Sequence, residues 1–577
     1  MSEISKNHPV TGAVALVEAL IAEGTDTIFG YPGGQVLPVY DALYDYTDQL
    51  EHILVRHEQG ATHAAEGYAR ATGRPGVVLV TSGPGATNVI TGLSDAMADS
   101  TPLIIITGQV GAQYLGSDAF QETDVIAITQ PVTKWSLQVR CAKDINEAVA
   151  RAFFIAKSGR PGPVVLDISR DAQTGMVDEP YRPINYIRSY NPEPVISADK
   201  LQAAADMINR AERPIILAGQ GVAISGAEKQ LIDFAEKAKI PVATTLLGLS
   251  VMPSSHPLYQ GMLGMHGNIA PNIATNKADV IIGIGMRFDD RATGNSSAYA
   301  PDAKIIHIDI DASEFDKVVP SAIAMHSDAA KALDRLLPLI DEVEERKEWL
   351  KLFEDCMKRE EDTVIKAELH RSEDMPITMG EVVRAVSEAT GDKAIAVTDV
   401  GQNQMMTARY FRFTQPRSFI SSGGLGTMGF GLPAAMGAKI GCPERKVIAF
   451  LGDGGFQMTM QELGTIMQYG VDVKIVLMDN NYLGNVRQWQ SMFYHDRFSQ
   501  TPLVNPDFLA IASAYGIESM AVHDRRELKE GIKRMLEHDG TFLLNVAIDP
   551  EDMVFPMVAP GKAIDNIFIA PNTVFEL

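Results

Sequence analysis

Residues 447–482, VIAFLGDGGFQMTMQELGTIMQYGVDVKIVLMDNNY, constrain this chain more than any other stretch. Two apolar runs of strand length end in clusters of small, carboxylate or amide residues, Gly452-Asp453-Gly454-Gly455 and Asp479-Asn480-Asn481, and TMQELGTIMQYG between them reads as a crossover helix. In open parallel sheets ligands bind beyond the carboxyl ends of the strands, so both clusters belong at one rim. A magnesium-diphosphate group needs hard oxygen ligands, with phosphate oxygens completing the shell, and Asp453 and Asn480 fit that need. The glycines let backbone N–H groups and a helix N-terminus approach an anion closely. Gly-Asp-Gly alone is also an ordinary turn; the second cluster, with 24 residues between Gly454 and Asp479, carries the signal.

A chain of 577 residues has length for several domains. A net charge of −23 argues against a nucleic-acid footprint and against an anionic membrane surface. The longest apolar runs, such as 102–108 and 280–285, are strand-sized, and MSEISKNHPV lacks an apolar signal core. The 3 cysteines, Cys141, Cys356 and Cys442, are widely spaced and fit neither a disulfide framework nor a zinc site, so a cytoplasmic setting is expected.

From Thr11 to Asp171, runs such as TIFGYP, VVLVTSG and PLIIITG alternate with helix-like segments, the pattern of a parallel sheet covered on both faces. The expected organisation is α/β in three units, 1–171, 198–341 and 376–550, each with a mainly parallel sheet flanked by helices. A proline-bearing linker spans 172–197, and 342–375 is a charged helical linker that reads as a solvated crossing helix. Residues 551–577 show apolar anchors but no clear element, and Phe555, Met557 and Ile567 favour a cap over a cleft. HAAEGYARATGRPGVVLVTSGPG in the first unit faintly repeats LPAAMGAKIGCPERKVIAFLGDGG in the third, suggesting two similar units facing one ligand.

GDGG followed by DNN resembles the motif of thiamine-diphosphate enzymes. The likeness to the catalytic subunits of the acetohydroxyacid (acetolactate) synthase family covers nearly the whole chain: GYPGG (30–34), RHEQGA (56–61), TSGPGATN (81–88), DAFQE (118–122), GRPGPVVLD (159–167), GMLGMHG (261–267), RFDDR (287–291), GTMGFGLPAA (426–435) and GDGGF (452–456). RFDDR with GMLGMHG is the most selective part. The resemblance implies thiamine diphosphate, Mg2+ and FAD as cofactors. Asp453, Asn480 and the Tyr482 carbonyl are the implied metal ligands, Gly454 and Gly455 are implied on the diphosphate, and Gln402 and Asn403 are implied as cofactor contacts. Glu58 is the implied carboxyl on the pyrimidine, a role that needs enough burial to hold a proton; alone, an acidic residue at a helix start also simply favours the dipole. Met428 is implied as a wedge under the thiazolium, against the plain reading of a core methionine, and the Gly426 carbonyl as a pyrimidine contact.

In the central unit, ILAGQGV runs a strand into a glycine turn and KIIHIDID ends at a carboxylate suited to a ribose hydroxyl, yet no contiguous GxGxxG occurs and a bare packing domain is the alternative. By resemblance, FAD would touch Arg160, Gly221, Thr245, Leu246, His266, Gly285, Arg287, Asp309 and Ile310. Phe120 and Gln121 would line the reaction centre from a second protomer, Arg291 would take the second substrate's carboxylate, and Trp489 would shape its pocket unless it is helix core. The implied activity is decarboxylation of pyruvate and condensation of the two-carbon unit with pyruvate or 2-ketobutyrate, in branched-chain amino acid biosynthesis. A flavin-using pyruvate oxidase, another thiamine-diphosphate decarboxylase and an inactive homologue are the rivals. A homodimer or homotetramer and a separate small regulatory subunit are implied as well. Gln35, Arg170, Asn403, Met406 and Asn485 depart from the family pattern and bear on substrate preference, leaving Glu58, Asp453 and Asn480 untouched.

Overall fold

Three six-stranded parallel sheets dominate the architecture of the described residues, and they follow two strand orders. The computed structural model describes residues 9–576; residues 1–8, most of the stretch read for a signal core, and residue 577 lie outside it. In the first sheet the order is Glu51–Leu54, Thr27–Tyr31, Gly76–Val80, Leu103–Gln109, Val164–Ser169, Trp135–Val139. In the last it is Phe419–Ile420, Ile395–Thr398, Val447–Gly452, Val473–Asp479, Phe542–Ala547, Glu518–Val522. Numbered within each unit, both read 2-1-3-4-6-5, so the faint sequence repeat has a topological counterpart. The central sheet reads 3-2-1-4-5-6, the order of dinucleotide-binding sheets, with Pro214–Ala218 and Val280–Ile284 adjacent where the order reverses. Central strands such as Gly76–Val80 and Leu103–Gln109 are buried along their whole length, as helices on both faces require.

The first and third units share one hydrophobic core. Helix Glu58–Thr72 packs on helix Gly431–Gly441, and small residues let the backbones touch. A Cβ placed on Gly67 would lie 1.9 Å from the carbonyl oxygen of Ala434, and one on Gly437 1.8 Å from that of Ala64.

The segment read as a solvated crossing helix is not one. Helix Lys347–Glu360 buries Trp349, Phe353 and Cys356, an i, i+4, i+7 face that the surrounding charges mask in the sequence. The tail also has structure: strands Met557–Val558, Ile567–Ala570 and Thr573–Val574 form a small antiparallel sheet whose Val558, Ile567 and Phe575 join the core around Trp349 and Phe353. Strand Met176–Val177 pairs antiparallel with Val10–Thr11, tying the start of the linker back to the first unit.

Gly437→Val forces side-chain atoms into the Ala64 carbonyl, and overpacking of this kind costs about 1–3 kcal/mol or more. The expected result is a clear drop in melting temperature; an unchanged melt would show that the two helices separate freely.

Candidate active site

The two clusters of the 447–482 stretch meet through one carboxylate. Asp453 is 2 % exposed; its Oδ1 accepts from the Gly454 N–H at 2.9 Å, and its Oδ2 accepts from the Asn481 N–H and from Asn505 Nδ2, each at 2.8 Å. Asn505 also donates to Asp479 at 2.8 Å, a bridging role that no motif in the sequence indicated. Burial first, and the neighbouring Asp479 carboxyl after it, push Asp453 up to about 7. Asn480 is buried beside it, donating to Gln402 Oε1 at 3.3 Å and accepting from the Tyr482 N–H at 3.1 Å. Gln402 is committed to protein contacts: its Nε2 donates to the Asp552 carbonyl at 2.7 Å, so its side chain orients Asn480 rather than reaching outward. Asn403 leans over the strand end, its Nδ2 3.2 Å from where a Gly452 Cβ would stand, with its Oδ1 buried and unpartnered. Helix Gln402–Tyr410 begins here, after Gly401 at φ 128°, and adds its N-terminal N–H groups.

Gly454 faces Leu483, and a Cβ placed on it would stand 3.7 Å from the Met428 methyl, so the implied wedge and the glycine turn are neighbours. Gly455 is held open for a different reason: a Cβ there would stand 2.3 Å from Asp399 Oδ1. Asp399, missed in the sequence although it ends the run IAVTD, accepts N–H bonds from Val400, Gly429 and Gly431 at 2.9–3.0 Å. It thereby fixes the far end of the turn carrying Gly426 (φ 74°) and Met428.

Glu58 opens its helix on the first unit, half-buried, with Oε2 accepting from Asn88 Nδ2 at 2.9 Å. Its junction is held from the third unit by Glu462, which sequence reading also missed. That carboxylate accepts from the Arg56 and His57 N–H groups at 3.1 and 3.0 Å and fills the space a Gly60 side chain would need. Gln121, at φ 60°, packs over Gly83, while Glu58 faces Gly85 across the same short turn; Phe120 is 85 % exposed. The structure therefore groups Glu58 with Gln121, and Asp453 with Asn480, Asn403 and Met428. The hydrogen bonds of Glu58 and of Asp453 each stay within their own unit.

A cavity of about 610 Å3 opens at the switch point of the central sheet. Arg160, Gly221, Thr245, Leu246, His266, Gly285, Arg287, Asp309 and Ile310 all line it. Gly221 and Gly285 are in backbone contact, a Cβ on either meeting the other's Cα at 2.6 Å, which leaves the mouth of the crevice bare. Arg160 is anchored on Ser100 Oγ at 2.8 Å and on Asp311 and Glu314 at 3.2 Å. His266 is buried with an unpartnered Nδ1; burial, then the charges of Arg409 and Arg291, hold its pKa down to about 3, so it is neutral. The other end of the cavity belongs to the third unit: Val400, Gly401, Gly423–Gly426, Asn485 and Trp489 line it, with Arg291 of the central unit beside them. Trp489 is half-buried with an unpartnered Nε1, not packed away as helix core.

Three family models match in sequence: Thiamine pyrophosphate enzyme, N-terminal TPP binding domain, over residues 10–128; its central domain over 201–336; and its C-terminal TPP binding domain over 399–546. Among curated relatives, the acetolactate synthase large subunit of Lactococcus lactis is 44 % identical, covering 98 % of this chain and 97 % of its own. The acetolactate synthase isozyme 2 large subunit of Escherichia coli is 42 % identical over 96 % of this chain and 98 % of its own. The acetolactate synthase large subunit of Corynebacterium glutamicum is 43 % identical over 97 % and 90 %.

Burial is the first cause that raises Asp309 from 3.8 to about 7. A raised carboxyl gives the fold stability that is complete below the unfolded pKa and lost as pH rises through the folded one. In the ligand-free protein Asp309→Asn should therefore gain on the wild type between about pH 4 and pH 7 and keep a constant lead above that. Melting curves of both proteins across this range check it; a difference independent of pH would refute it.

Proposed function

The chain belongs to the thiamine-diphosphate enzymes, among their acetolactate synthase large subunits, and we propose that its two half-sites and its central cavity carry out that synthesis with Mg2+ and FAD as further cofactors. It is a thiamine-diphosphate-dependent carboligase that forms acetolactate from pyruvate. The observation that carries the reading of the site is Asp453, which ties the two strand-end clusters into one rim facing Asn403 and Met428.

Bound thiamine diphosphate supplies the electron sink on which a 2-keto acid loses CO2 and from which the two-carbon unit passes to a second 2-keto acid. The residues present suit it. Asp453, Asn480 and the Tyr482 carbonyl would hold Mg2+, whose charge offsets the burial that now disfavours an ionised Asp453. The Gln402 N–H and the Asn403 Nδ2, whose bond to the Val400 carbonyl is long at 3.5 Å, would suit the diphosphate oxygens, with Gly454 and Gly455 keeping the helix start open to them; Gln402 contributes through its backbone, since its side chain is engaged. Gly426 would offer its carbonyl to the pyrimidine amine and Met428 its methyl to the thiazolium, while Glu58 moves the proton at the pyrimidine ring. Arg291 would hold the acceptor carboxylate.

Glu58 and Asp453 sit in separate half-sites of one chain, which supports a dimer, or a tetramer built from dimers, in which Glu58, Gln121 and the exposed Phe120 of one protomer complete the other's rim. FAD suits the central cavity: the strand order, the open Gly221–Gly285 crevice, the unpartnered His266 Nδ1 and Arg160 all favour a dinucleotide. The relatives' designation as large subunits implies a separate small subunit here too. No helix of the described residues is long and apolar enough to cross a membrane, and three free cysteines suit a reducing cytoplasm. Product analysis with pyruvate, omitting each cofactor in turn, tests the assignment: acetolactate supports it, whereas acetate with oxygen uptake or acetaldehyde would overturn it.

Trp489 lines the cavity in the same region as Arg291, where we place the acceptor. Pyruvate and 2-ketobutyrate differ by one methylene, worth about 1–3 kcal/mol against a packed wall. Trp489→Leu should largely erase any preference for 2-ketobutyrate while pyruvate-only turnover survives. Competition between the two acceptors, read as the ratio of acetohydroxybutyrate to acetolactate, decides it; an unchanged ratio would remove Trp489 from this role.

A further inference from the structure

The turn that carries Gly426 and Met428 is fastened at both ends by carboxylates, and they come from different units. Asp399 of the third unit holds Gly429 and Gly431. At the other end, Asp99 of the first unit accepts the Gly423 N–H on Oδ2 at 2.8 Å and the Gly424 N–H on Oδ1 at 2.6 Å. Arg70 completes the clamp, donating to Asp99 at 3.3 Å and to the Ser421 carbonyl at 2.5 Å.

Nothing in local helix formation favours Asp99 where it stands. It caps the C-terminus of helix Ile90–Ala98, the end whose dipole repels a carboxylate, and that last turn carries no basic residue. It is also 1 % exposed, so its charge is desolvated and must be met by strong hydrogen bonds. Those bonds go to two glycine N–H groups of another unit and to one arginine. The match is close: a Cβ on Gly424 would stand 2.9 Å from Asp99 Oδ1, so glycine is what admits the carboxylate. Its neighbours in sequence reach the central cavity, since Arg160 donates to the Ala98 carbonyl at 3.2 Å and to Ser100 Oγ at 2.8 Å. One turn earlier on the same helix, Asp95 accepts from Ser422 Oγ, which in turn accepts the Thr427 N–H, both at 2.8 Å.

We propose that Asp99 is a positioning residue for the carboligase reaction: by clamping Gly423 and Gly424 it sets where Gly426 presents its carbonyl and Met428 its side chain. The inference rests on the reading that these two residues meet the pyrimidine and thiazolium rings. Asp99 acts through the turn: its loss would shift the Gly426 carbonyl and the Met428 side chain without removing any group that would touch the cofactor.

The test uses holoenzyme saturated with thiamine diphosphate, Mg2+ and FAD, and follows hydrogen–deuterium exchange at cofactor C2 by acid quench and NMR, beside melting curves and a cofactor titration. Asp99→Asn should slow exchange about tenfold or more at full saturation, since sub-ångström to ångström misplacement costs up to about a hundredfold. Gly424→Ala should do the same with every charge kept, by pushing the carboxylate off the N–H groups, and it decides the matter alone if Asp99→Asn does not fold. A residue that only supports stability would lower the melt and leave exchange at saturation untouched. Exchange at the wild-type rate in saturated, folded Asp99→Asn, or in Gly424→Ala where the former does not fold, overturns the proposal. Glu58→Gln separates the two levels: if that variant exchanges normally the reading of the centre fails, and if it is slow while Asp99→Asn is not, only the positioning role fails.

Discussion

The contact between helices Glu58–Thr72 and Gly431–Gly441 is the constraint on which the rest depends. Backbone meets backbone at Gly67–Ala434 and Gly437–Ala64, so the two units have no freedom to slide, and a single core runs through both sheets. The helix that begins with Glu58 is thus part of the third unit's packing before it is part of any site. Glu462 reinforces this by capping the Arg56 and His57 N–H groups from across the junction. A proton-transferring group, the role proposed for Glu58, is placed well only if its supporting residues are themselves locked, and here the lock is steric as well as hydrogen-bonded.

A second regularity follows from the chemistry of the rim. Glycine-rich turns are needed where backbone must approach a ligand, and such turns are intrinsically floppy. Four buried carboxylates answer that problem: Asp99, Asp399, Glu462 and Asp453 each accept backbone N–H groups from turns or junctions around the site. Desolvating a carboxylate is costly, and charge-assisted bonds to N–H groups are the compensation that makes it tolerable. Asp453 differs from the other three in standing beside a second carboxyl, that of Asp479, and beside Asn480, where burial first and Asp479 after it disfavour its ionised form.

The parts legible in the sequence were those with local periodicity or local motif. Strand runs bounded by glycine clusters marked the parallel sheets, and GDGG with DNNY marked a rim that Asp453 does bridge. What escaped was non-local. Asp399, Glu462, Asn505 and Asp99 act on partners in distant loops or in another unit, so nothing adjacent to them in sequence reports the role. The helix at Lys347–Glu360 was misread because its charged residues outnumber the apolar ones, although three positions at helical spacing suffice to bury a face. Gln402 is a partial case: its place in the motif suggested a cofactor contact, and its side chain is spent on Asn480 and Asp552, which leaves its backbone for that role.

The misread helix also joins the central and third units beside the cavity. Glu360, at its C-terminal end, accepts from Asn268 Nδ2 at 2.9 Å and the Ile269 N–H at 2.7 Å in the central unit, and from Arg409 at 2.7 Å in the third. Arg409 also donates to the Gly267 carbonyl at 3.2 Å, beside His266. Both charges of this pair are buried, so breaking it would leave an uncompensated ion in the interior, a loss of about 3–5 kcal/mol. That penalty binds the loop holding His266 to helix Gln402–Tyr410, whose N-terminus faces the GDGG rim. The cavity wall near His266 and helix Gln402–Tyr410 are therefore tied through one buried ion pair. Arg291 and Trp489, drawn from two different units, line the same cavity, so its width there depends on how those units are joined.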